Sequence, residues 1–455
     1  MSTFALAFRN VRKSYRDYAV YFLTILIGVA MFYVFNSLGS SATMLKLSKN
    51  EEAMLMGVNE IMSYLSVFIS MILAFLILYA NVFLIRRRKK ELGIYMLLGM
   101  KKQEISCILV CETAIVGVIS LVVGLALGIL LSQELALLTA KLFKVSIVGF
   151  SLVFSTPVMW KSIMYFGITF VLVMLFNAGN LGRQSLVDMI YADKKSSTFH
   201  TPRVGISALL FIVSIILIGS GYAVIIKNGI IDSNRPLLIA IALGTIGTFL
   251  FFYSFSGLFL KLVRNMQNIY FKGLNIFTLG QLNNQINTEH ISMSFVCLMM
   301  FLAISAISTG SAVSKSISHN YANESGTIAG VTYVSLYIGI VFILASSSVL
   351  AISQLSRSSD NRYRYALLSK LGADYNMLSG SLLKQISFYF ALPLVLSIIH
   401  SIVAIIVVSK IVYMIGDVNI LASCLVTVVI IAVIYGGYFL MTYLRCKTGA
   451  YAKIM

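Results

Sequence analysis

The sequence predicts an all-α integral membrane protein with ten transmembrane helices, arranged in two pseudo-repeated halves that each carry a short cytoplasmic helix. Three observations lead to this prediction. The 455 residues are 59% hydrophobic and only 11% charged, which is too apolar for an ordinary soluble domain. Ten stretches are long and apolar enough to cross a bilayer. Two segments, far apart in the chain, share a pattern of basic residues followed by a short apolar helix.

The ten predicted spans follow from the thickness of the bilayer. Crossing a hydrocarbon core of about 30 Å takes about 20 apolar helical residues, because backbone polar groups in lipid must be satisfied within the helix. The qualifying stretches are approximately 18–38, 61–85, 105–131, 163–181, 204–226, 236–260, 291–310, 328–352, 386–408 and 420–443. Each is too apolar all round for a surface helix, so the chain is expected to be mostly membrane helix.

The distribution of Lys and Arg predicts the orientation, since cytoplasmic loops retain these residues. Most of the 35 basic residues fall in the N-terminal segment and in every second loop. Both termini of this multi-pass cell-membrane protein are therefore predicted to be cytoplasmic. The net charge of +19 is explained by this topology and by attraction to anionic membrane lipid, and nucleic acid is not an expected partner.

The N-terminal segment carries apolar residues at helical spacing, namely Phe4, Phe8, Val11 and Tyr15. Cations are interleaved with them, a pattern that differs from a cleavable signal peptide. The spacing predicts an amphipathic helix lying on the cytoplasmic leaflet before the first span.

The first unusual segment, "RRRKKELGIYMLLGMKK", follows the second predicted span. Its five leading cations, Arg86 to Lys90, suffice to hold a loop in the cytoplasm. They do not account for the stretch Glu91 to Met100, which carries Leu92 and Leu98 and would be costly to expose to water. We therefore expect a short helix docked in the groove of a partner. The alternative is a helix folded back onto the protein's own bundle or onto the lipid surface.

A second stretch, "NRYRYALLSKLGADYNML", resembles the first. It also follows a long span, begins with arginines and closes a short apolar helix with Leu-Gly. Aligning Leu98 and Gly99 with Leu371 and Gly372 also brings the following helices into register. This weak internal repeat predicts two related halves, as found in many transporters.

The repeat suggests three parts. Residues 1–203 form an N-terminal half with the amphipathic helix and four spans, and residues 204–260 form two central spans. Residues 261–455 form a C-terminal half with four spans and a short external loop at 311–327.

Catalytic motifs are not found in the sequence. It contains no Walker A sequence, no Cys/His metal spacing and no Gly-x-Ser-x-Gly elbow, and its four histidines are scattered. We expect neither an intrinsic catalytic site nor a bound metal. Energy for any uphill work is therefore expected from a partner or from an ion gradient.

Two polar residues inside predicted spans are candidates for binding a substrate or for gating. Glu112 is the one clear acid within a predicted span, and buried charge often marks a proton or substrate site. The alternative is a structural acid paired with a basic residue near the membrane interface. His400 likewise suits either substrate binding or a hydrogen bond between helices.

Three glycines of the third predicted span, Gly117, Gly124 and Gly128, lie on one helical face. Small residues at this spacing permit close helix approach. The face is expected to be a packing surface, either static or sliding during transport.

The segment "RRRKKELGIYMLLGMKKQEI" followed by "CETAIVGVISLVVGLALG" resembles the signature of FtsX-like permeases. Further segments, such as "NIFTLGQLNNQINTEHISMSF" and "LLKQISFYFALPLVLSIIHS", resemble the Bce-type permeases of peptide-antibiotic resistance ABC transporters. The resemblance covers nearly the whole chain in order. It implies a ten-span permease that serves two copies of a separate ATPase, with ATP and Mg²⁺ bound by that partner and no cofactor in this chain. It also implies a possible membrane histidine kinase partner and an antimicrobial peptide or lipid-associated substrate.

By position, the resemblance makes Glu91 to Met100 one ATPase-coupling helix and Tyr363 to Gly372 the second. The residues expected to contact the ATPase are Glu91, Leu92, Gly93, Tyr95, Leu98, Gly99, Arg364, Leu367, Leu371 and Gly372.

One departure concerns the large extracellular domain that the family carries between the seventh and eighth spans, because this interval is only Ser311 to Gly326 here. The departure leaves the peptide specificity open.

Two other functions remain open at this stage. One is a regulatory membrane protein that passes ATPase state to a histidine kinase or a cell-wall enzyme without moving substrate. An ion-coupled carrier is disfavoured, because charged residues are scarce within the predicted spans.

Overall fold

The computed structural model describes residues 3–37, 49–143, 154–182, 204–229, 234–265, 267–320, 325–415 and 420–451. Within these ranges the chain is helical and contains no strand. The helices are α1 (Thr3–Lys13), α2 (Tyr15–Asn36), α3 (Lys49–Leu97), α4 (Lys102–Phe143), α5 (Thr156–Gly182), α6 (Val204–Asn228), α7 (Asn234–Asn265), α8 (Gln267–Tyr270), α9 (Asn275–Asn320), α10 (Ser325–Asp360), α11 (Arg362–Lys370), α12 (Tyr375–Ile415) and α13 (Ile420–Tyr451).

The chain divides into two compact units. Unit 1 comprises Met1–Ser196 with Ala322–Val334, and unit 2 comprises Ser197–Tyr321 with Ser335–Met455. The predicted boundary at residue 203 lies outside the described residues, as do residues 321–324 of the predicted external loop.

Within the described residues, eight helical segments are long and apolar enough to cross a membrane. They are Lys102–Glu134, Thr156–Asn177, Gly205–Asn228, Arg235–Asn265, Asn275–Lys315, Val334–Ser358, Tyr375–Lys410 and Ser423–Thr448. These correspond to eight of the ten predicted spans. At the other two positions, α2 and α3 contain shorter apolar stretches, Tyr21–Asn36 and Ile69–Val82. The count of ten therefore stays a prediction.

In unit 1, α2 packs closely against α4 because two glycines bring their backbones together. A Cβ atom on Gly124 would lie 2.8 Å from Cβ of Val29, and one on Gly128 would lie 2.9 Å from Cβ of Tyr33. Gly117 instead faces α5, where a Cβ would lie 3.1 Å from the ring of Phe170. The three predicted packing glycines therefore sit at close approaches to two different helices.

The predicted N-terminal amphipathic segment is α1. It packs against α4 through the buried Ala7, whereas Phe4 and Phe8 are exposed. Two basic residues, Arg12 and Lys13, occupy its last turn, where cations complement the partial negative charge of a helix C-terminus.

In unit 2, α9 is the central element and packs against α7, α12 and α13. Helices α6 and α7 form a closely packed pair, where a Cβ on Gly247 would lie 2.7 Å from Cγ1 of Ile218. Helix α9 is kinked at Glu289, whose backbone angles, φ −122° and ψ 18°, are not helical.

The structure corrects the prediction of a separate short helix in unit 1. Helix α3 runs without a break for 49 residues and includes Arg86 to Lys90. Arg, Lys, Glu and Leu all favour helix, and an ion pair of 3.0 Å joins Arg88 Nε to Glu91 one turn later. In unit 2 the corresponding segment is separate, because α10 ends at Asp360 and the nine-residue α11 begins at Arg362.

Candidate functional site

The first predicted coupling segment ends in a tight turn between α3 and α4. The amide of Gly99 donates to the carbonyl of Met96 and that of Met100 to the carbonyl of Tyr95, both at 3.1 Å. Gly99 has φ +92°, a left-handed conformation that glycine adopts without steric cost. This arrangement is a glycine cap that closes α3 before α4 begins at Lys102.

The second segment ends in the same turn. The amide of Gly372 donates to the carbonyl of Ser369 and that of Ala373 to the carbonyl of Leu368, both at 3.0 Å. Gly372 has φ +93°, and α12 begins at Tyr375. Each of these features lies 273 positions after its counterpart in unit 1, which is the separation of Leu98 from Leu371.

Each turn presents a leucine to its surroundings. The side chain of Leu98 is 76% exposed and that of Leu371 is 80% exposed. One helical turn earlier, Ile94 and Leu367 are 47% and 42% exposed. Both turns lie outside the apolar spans, so these side chains form two matched apolar surfaces that suit docking against a partner.

The remaining predicted coupling residues divide between surface and interior. Leu92 and Gly93 are buried and Tyr95 is half-buried, whereas Glu91, Gly99, Arg364 and Gly372 are exposed.

The inner side of the first turn is packed. Leu92 joins Ile85, Ile105 and Leu109 in a buried apolar cluster, against which Tyr95, Met96 and Met100 also pack. The C-terminal end of α3 is thereby fixed to the N-terminal end of α4. A force applied at the exposed Leu98 would therefore reach both helices.

Behind this apolar cluster lies a buried ion pair. Arg88 is 1% exposed and Glu112 is fully buried. The Arg88 guanidinium contacts both the Glu112 carboxylate and the Tyr18 hydroxyl. Asn10 Nδ2 donates to Glu112 Oε1 at 2.8 Å, and the Tyr95 hydroxyl donates to Asn10 Oδ1 at 3.3 Å. The cluster joins α1, α2, α3 and α4.

This geometry occupies both carboxylate oxygens of Glu112 with protein donors. It is the arrangement expected of a structural acid, because a buried carboxylate is tolerated where a paired cation and a further hydrogen bond satisfy its oxygens. On the Arg88 side, Nη2 has no hydrogen-bond partner among the described residues. Burial alone would lower the pKa of Arg88, but Glu112, Tyr18 and Glu91 together raise that pKa above its ordinary value.

His400, the second polar candidate, connects three helices of unit 2. Its Nδ1 contacts the hydroxyl of Tyr222 on α6, and its Nε2 lies 3.0 Å from the hydroxyl of Thr248 on α7. Both ring nitrogens of this α12 residue are therefore engaged between helices.

A second ion pair, which the sequence pattern does not predict, joins Glu289 and Arg357. Arg357 Nε donates to Glu289 Oε1 at 2.9 Å, and the hydroxyls of Ser353 and Tyr389 donate to Glu289 Oε2. Glu289 lies just outside the predicted span 291–310, so the sequence predicts Glu112 as the one clear acid within a span. The structure adds Glu289 as a second buried acid, which lies within the helical segment Asn275–Lys315.

A signal for Glu289 was present in the sequence. Leu282, Ile286, Glu289 and Met293 recur at helical spacing, and all four are buried. The acid therefore continues the apolar stripe of α9.

Several buried residues of α3 and α4 have a buried counterpart 273 positions later, in unit 2. The buried positions that correspond in this way include Ile69 and Phe342, Ile77 and Leu350, Leu92 and Tyr365, Leu109 and Leu382, and Glu112 and Gln385. The two segments thus share their inward faces as well as their turns.

Comparison with known proteins agrees with the resemblance found in the sequence. Residues 63–186 match the model of the FtsX-like permease C-terminal domain. The matched region contains both the first exposed turn and the buried Glu112. An FtsX-like permease domain is therefore present in this chain.

The chain is also similar to curated ABC transporter permeases. It is 25% identical over 299 residues to the uncharacterized ABC transporter permease YvcS of Bacillus subtilis, covering 65% of this chain and 44% of that protein. It is 26% identical over 310 residues to the bacitracin export permease protein BceB of B. subtilis, covering 67% and 47%. The BceB protein of Halalkalibacterium halodurans is 26% identical over 314 residues, with the same coverages.

The chain thus spans less than half the length of these relatives. Permease relatives and eight apolar helices together identify a multi-pass membrane protein.

Proposed function

We propose that this chain is the membrane permease subunit of an ABC transporter. ATP hydrolysis by a separate ATPase would drive the handling or export of an antimicrobial peptide or a lipid-associated substrate. The observation that carries the proposal is the pair of matched apolar turns at Leu98 and Leu371, in a chain with an FtsX-like permease domain.

Two turns of the same geometry suit two copies of one ATPase. The glycine caps and the burial pattern recur at one separation, which supports two pseudo-repeated halves with one coupling turn each. ATP and Mg²⁺ belong to the partner subunit in this proposal, and this chain contributes docking surfaces.

Movement is transmitted through packed helices. A displacement of Leu98 moves the end of α3 together with the start of α4, because the buried cluster around Leu92 connects them. Helix α4 in turn contacts α2 at Gly124 and Gly128, so α2 and α4 move together or slide along this contact.

The proposed topology has ten spans and both termini in the cytoplasm of a bacterial cell. Short apolar stretches in α2 and α3 supply the first two spans, and the basic N-terminal segment and loops set the orientation. A histidine kinase partner would extend the protein's role to sensing the substrate.

Reconstitution in vesicles tests the proposal. The chain is co-expressed with a candidate ABC ATPase subunit, and ATP-dependent displacement of a labelled lantibiotic or of bacitracin bound to a lipid-linked precursor is measured. We expect displacement that Leu98→Asp and Leu371→Asp abolish and that the apolar control Leu98→Met retains. ATPase binding without displacement of any tested substrate would instead support a regulatory membrane protein.

A further inference from the structure

A small polar cavity lies in unit 2, among the helices behind the second exposed turn. Amide side chains from four positions line it: Gln281 and Gln285 of α9, Gln354 of α10 and Gln385 of α12. Asn361, at the junction of α10 and α11, completes this side of the wall. The enclosed space has room for about one water molecule.

Two of these amides are buried with an unpaired donor atom. Gln285 is 3% exposed and Gln354 is 4% exposed. The Nε2 atom of each has no hydrogen-bond partner among the residues that the structure describes, although both side chains line the cavity. An unpaired buried donor is unfavourable, so two in one cavity point to a bound molecule that accepts hydrogen bonds.

The same wall also offers acceptors. Asn361 Nδ2 donates to Gln281 Oε1 at 3.3 Å, which leaves the second lone pair of that oxygen available. Gln385 Nε2 donates to the Ser381 hydroxyl at 3.2 Å, so its amide group is held in place beside the cavity. Arg357 also lines the cavity, but its charge is paired with Glu289. A molecule that both accepts and donates therefore suits this lining better than an anion, which only accepts.

Unit 1 has a different group at the corresponding place. Asn361 lies 273 positions after Arg88, and Gln385 lies 273 positions after Glu112. In unit 1 the long Arg88 side chain is fully packed and connects the carboxylate to neighbouring helices. In unit 2 the shorter and neutral Asn361 leaves space, and the acid is replaced by an amide.

We infer that the cavity is a structural water site, in which one ordered water takes the place that the Arg88 guanidinium has in unit 1. The water accepts hydrogen bonds from Gln285 and Gln354 and donates to amide oxygens of the wall. The first exposed turn is thus supported by the Arg88–Glu112 ion pair, and the second by a hydrated amide cluster beside the Glu289–Arg357 ion pair.

Thermal unfolding of the full chain in detergent micelles tests this inference. Gln354→Met preserves the length of the side chain but removes its hydrogen-bonding groups. If a water is bound, this change removes the hydrogen bond that the Gln354 amide donates to it, and Tm should fall by a few degrees. With a dry cavity it removes an unpaired donor, and Tm should stay the same or rise, which would overturn the inference.

Three further measurements complete the test. The control Leu382→Met changes an apolar residue of the same wall and should leave Tm nearly unchanged. Replacing gluconate by chloride or bromide should not change the Tm of the unsubstituted chain, and a halide-dependent rise would assign the site to an anion. If the variant does not fold, an experimental density map that shows buried waters elsewhere but none here overturns the inference.

Discussion

Arg88 and Glu112 depend on each other within the interior of unit 1. Each is almost fully buried, and the Arg88 guanidinium connects the carboxylate with the Tyr18 hydroxyl. Breaking such a pair leaves one charge uncompensated, which typically costs about 3–5 kcal/mol, whereas removing both charges costs much less.

The first prediction is therefore a non-additive double-mutant cycle. Arg88→Met and Glu112→Gln should each lower the free energy of unfolding by about 3–5 kcal/mol, and the double variant should lose less than the sum. Reversible unfolding in mixed micelles measures these values. Additive losses would show that the two side chains act independently and would contradict the described contact.

Glycine contacts between α2 and α4 give a second prediction at the residue scale. Gly124→Ala places a methyl group 2.8 Å from Cβ of Val29 and 3.0 Å from the backbone carbonyl oxygen of Leu26. We expect a loss of about 1–3 kcal/mol from overpacking, measured as a lower Tm. Gly167 is the matched control, because its Cβ would meet nothing within 4 Å. Equal Tm values for both alanine variants would contradict the close approach of the helices.

At the scale of elements, the two turns are determined by short local sequences. Gly99 and Gly372 have nearly equal left-handed φ values, and each follows an exposed leucine. Left-handed backbone costs a residue with a Cβ about 1–2 kcal/mol, so the glycines are structurally required.

The third prediction follows from this requirement. Gly372→Ala should destabilise the cap of α11 by about 1–2 kcal/mol and weaken ATPase binding, since the Leu371 side chain would no longer be presented in the same direction. Gly380→Ala, in the helical part of α12 where a Cβ meets nothing within 4 Å, is the control. Tm and the amount of co-purified ATPase measure the two effects. If Gly372→Ala left both unchanged, the cap would have no role in presenting the turn.

These elements also show what local sequence can predict. The aligned Leu-Gly pairs gave the position of both turns, because a glycine cap depends on a few adjacent residues. The basic run before the first turn predicts a cytoplasmic loop between two helices. Its residues are nevertheless good helix formers, and α3 continues through it. Glu289 was missed because its partner Arg357 is 68 residues away, a pairing set by tertiary packing.

At the scale of the whole molecule, apolar stretch length predicted the membrane class and eight of the spans, because the bilayer itself imposes that length. The partner of Glu112 and the three-helix contacts of His400 depend on how distant segments pack, so spacing alone left their roles open.

In the proposed complex, two matched turns of one permease bind two copies of a separate ATPase. Native mass measurement of the complex purified in the absence of ATP tests this claim most directly. We predict one permease with two ATPase subunits for the unsubstituted chain and for Leu98→Met, a lower ATPase content for Leu98→Asp or Leu371→Asp, and none for the double Asp variant. A complex that keeps two ATPase subunits in the folded double Asp variant would contradict the claim.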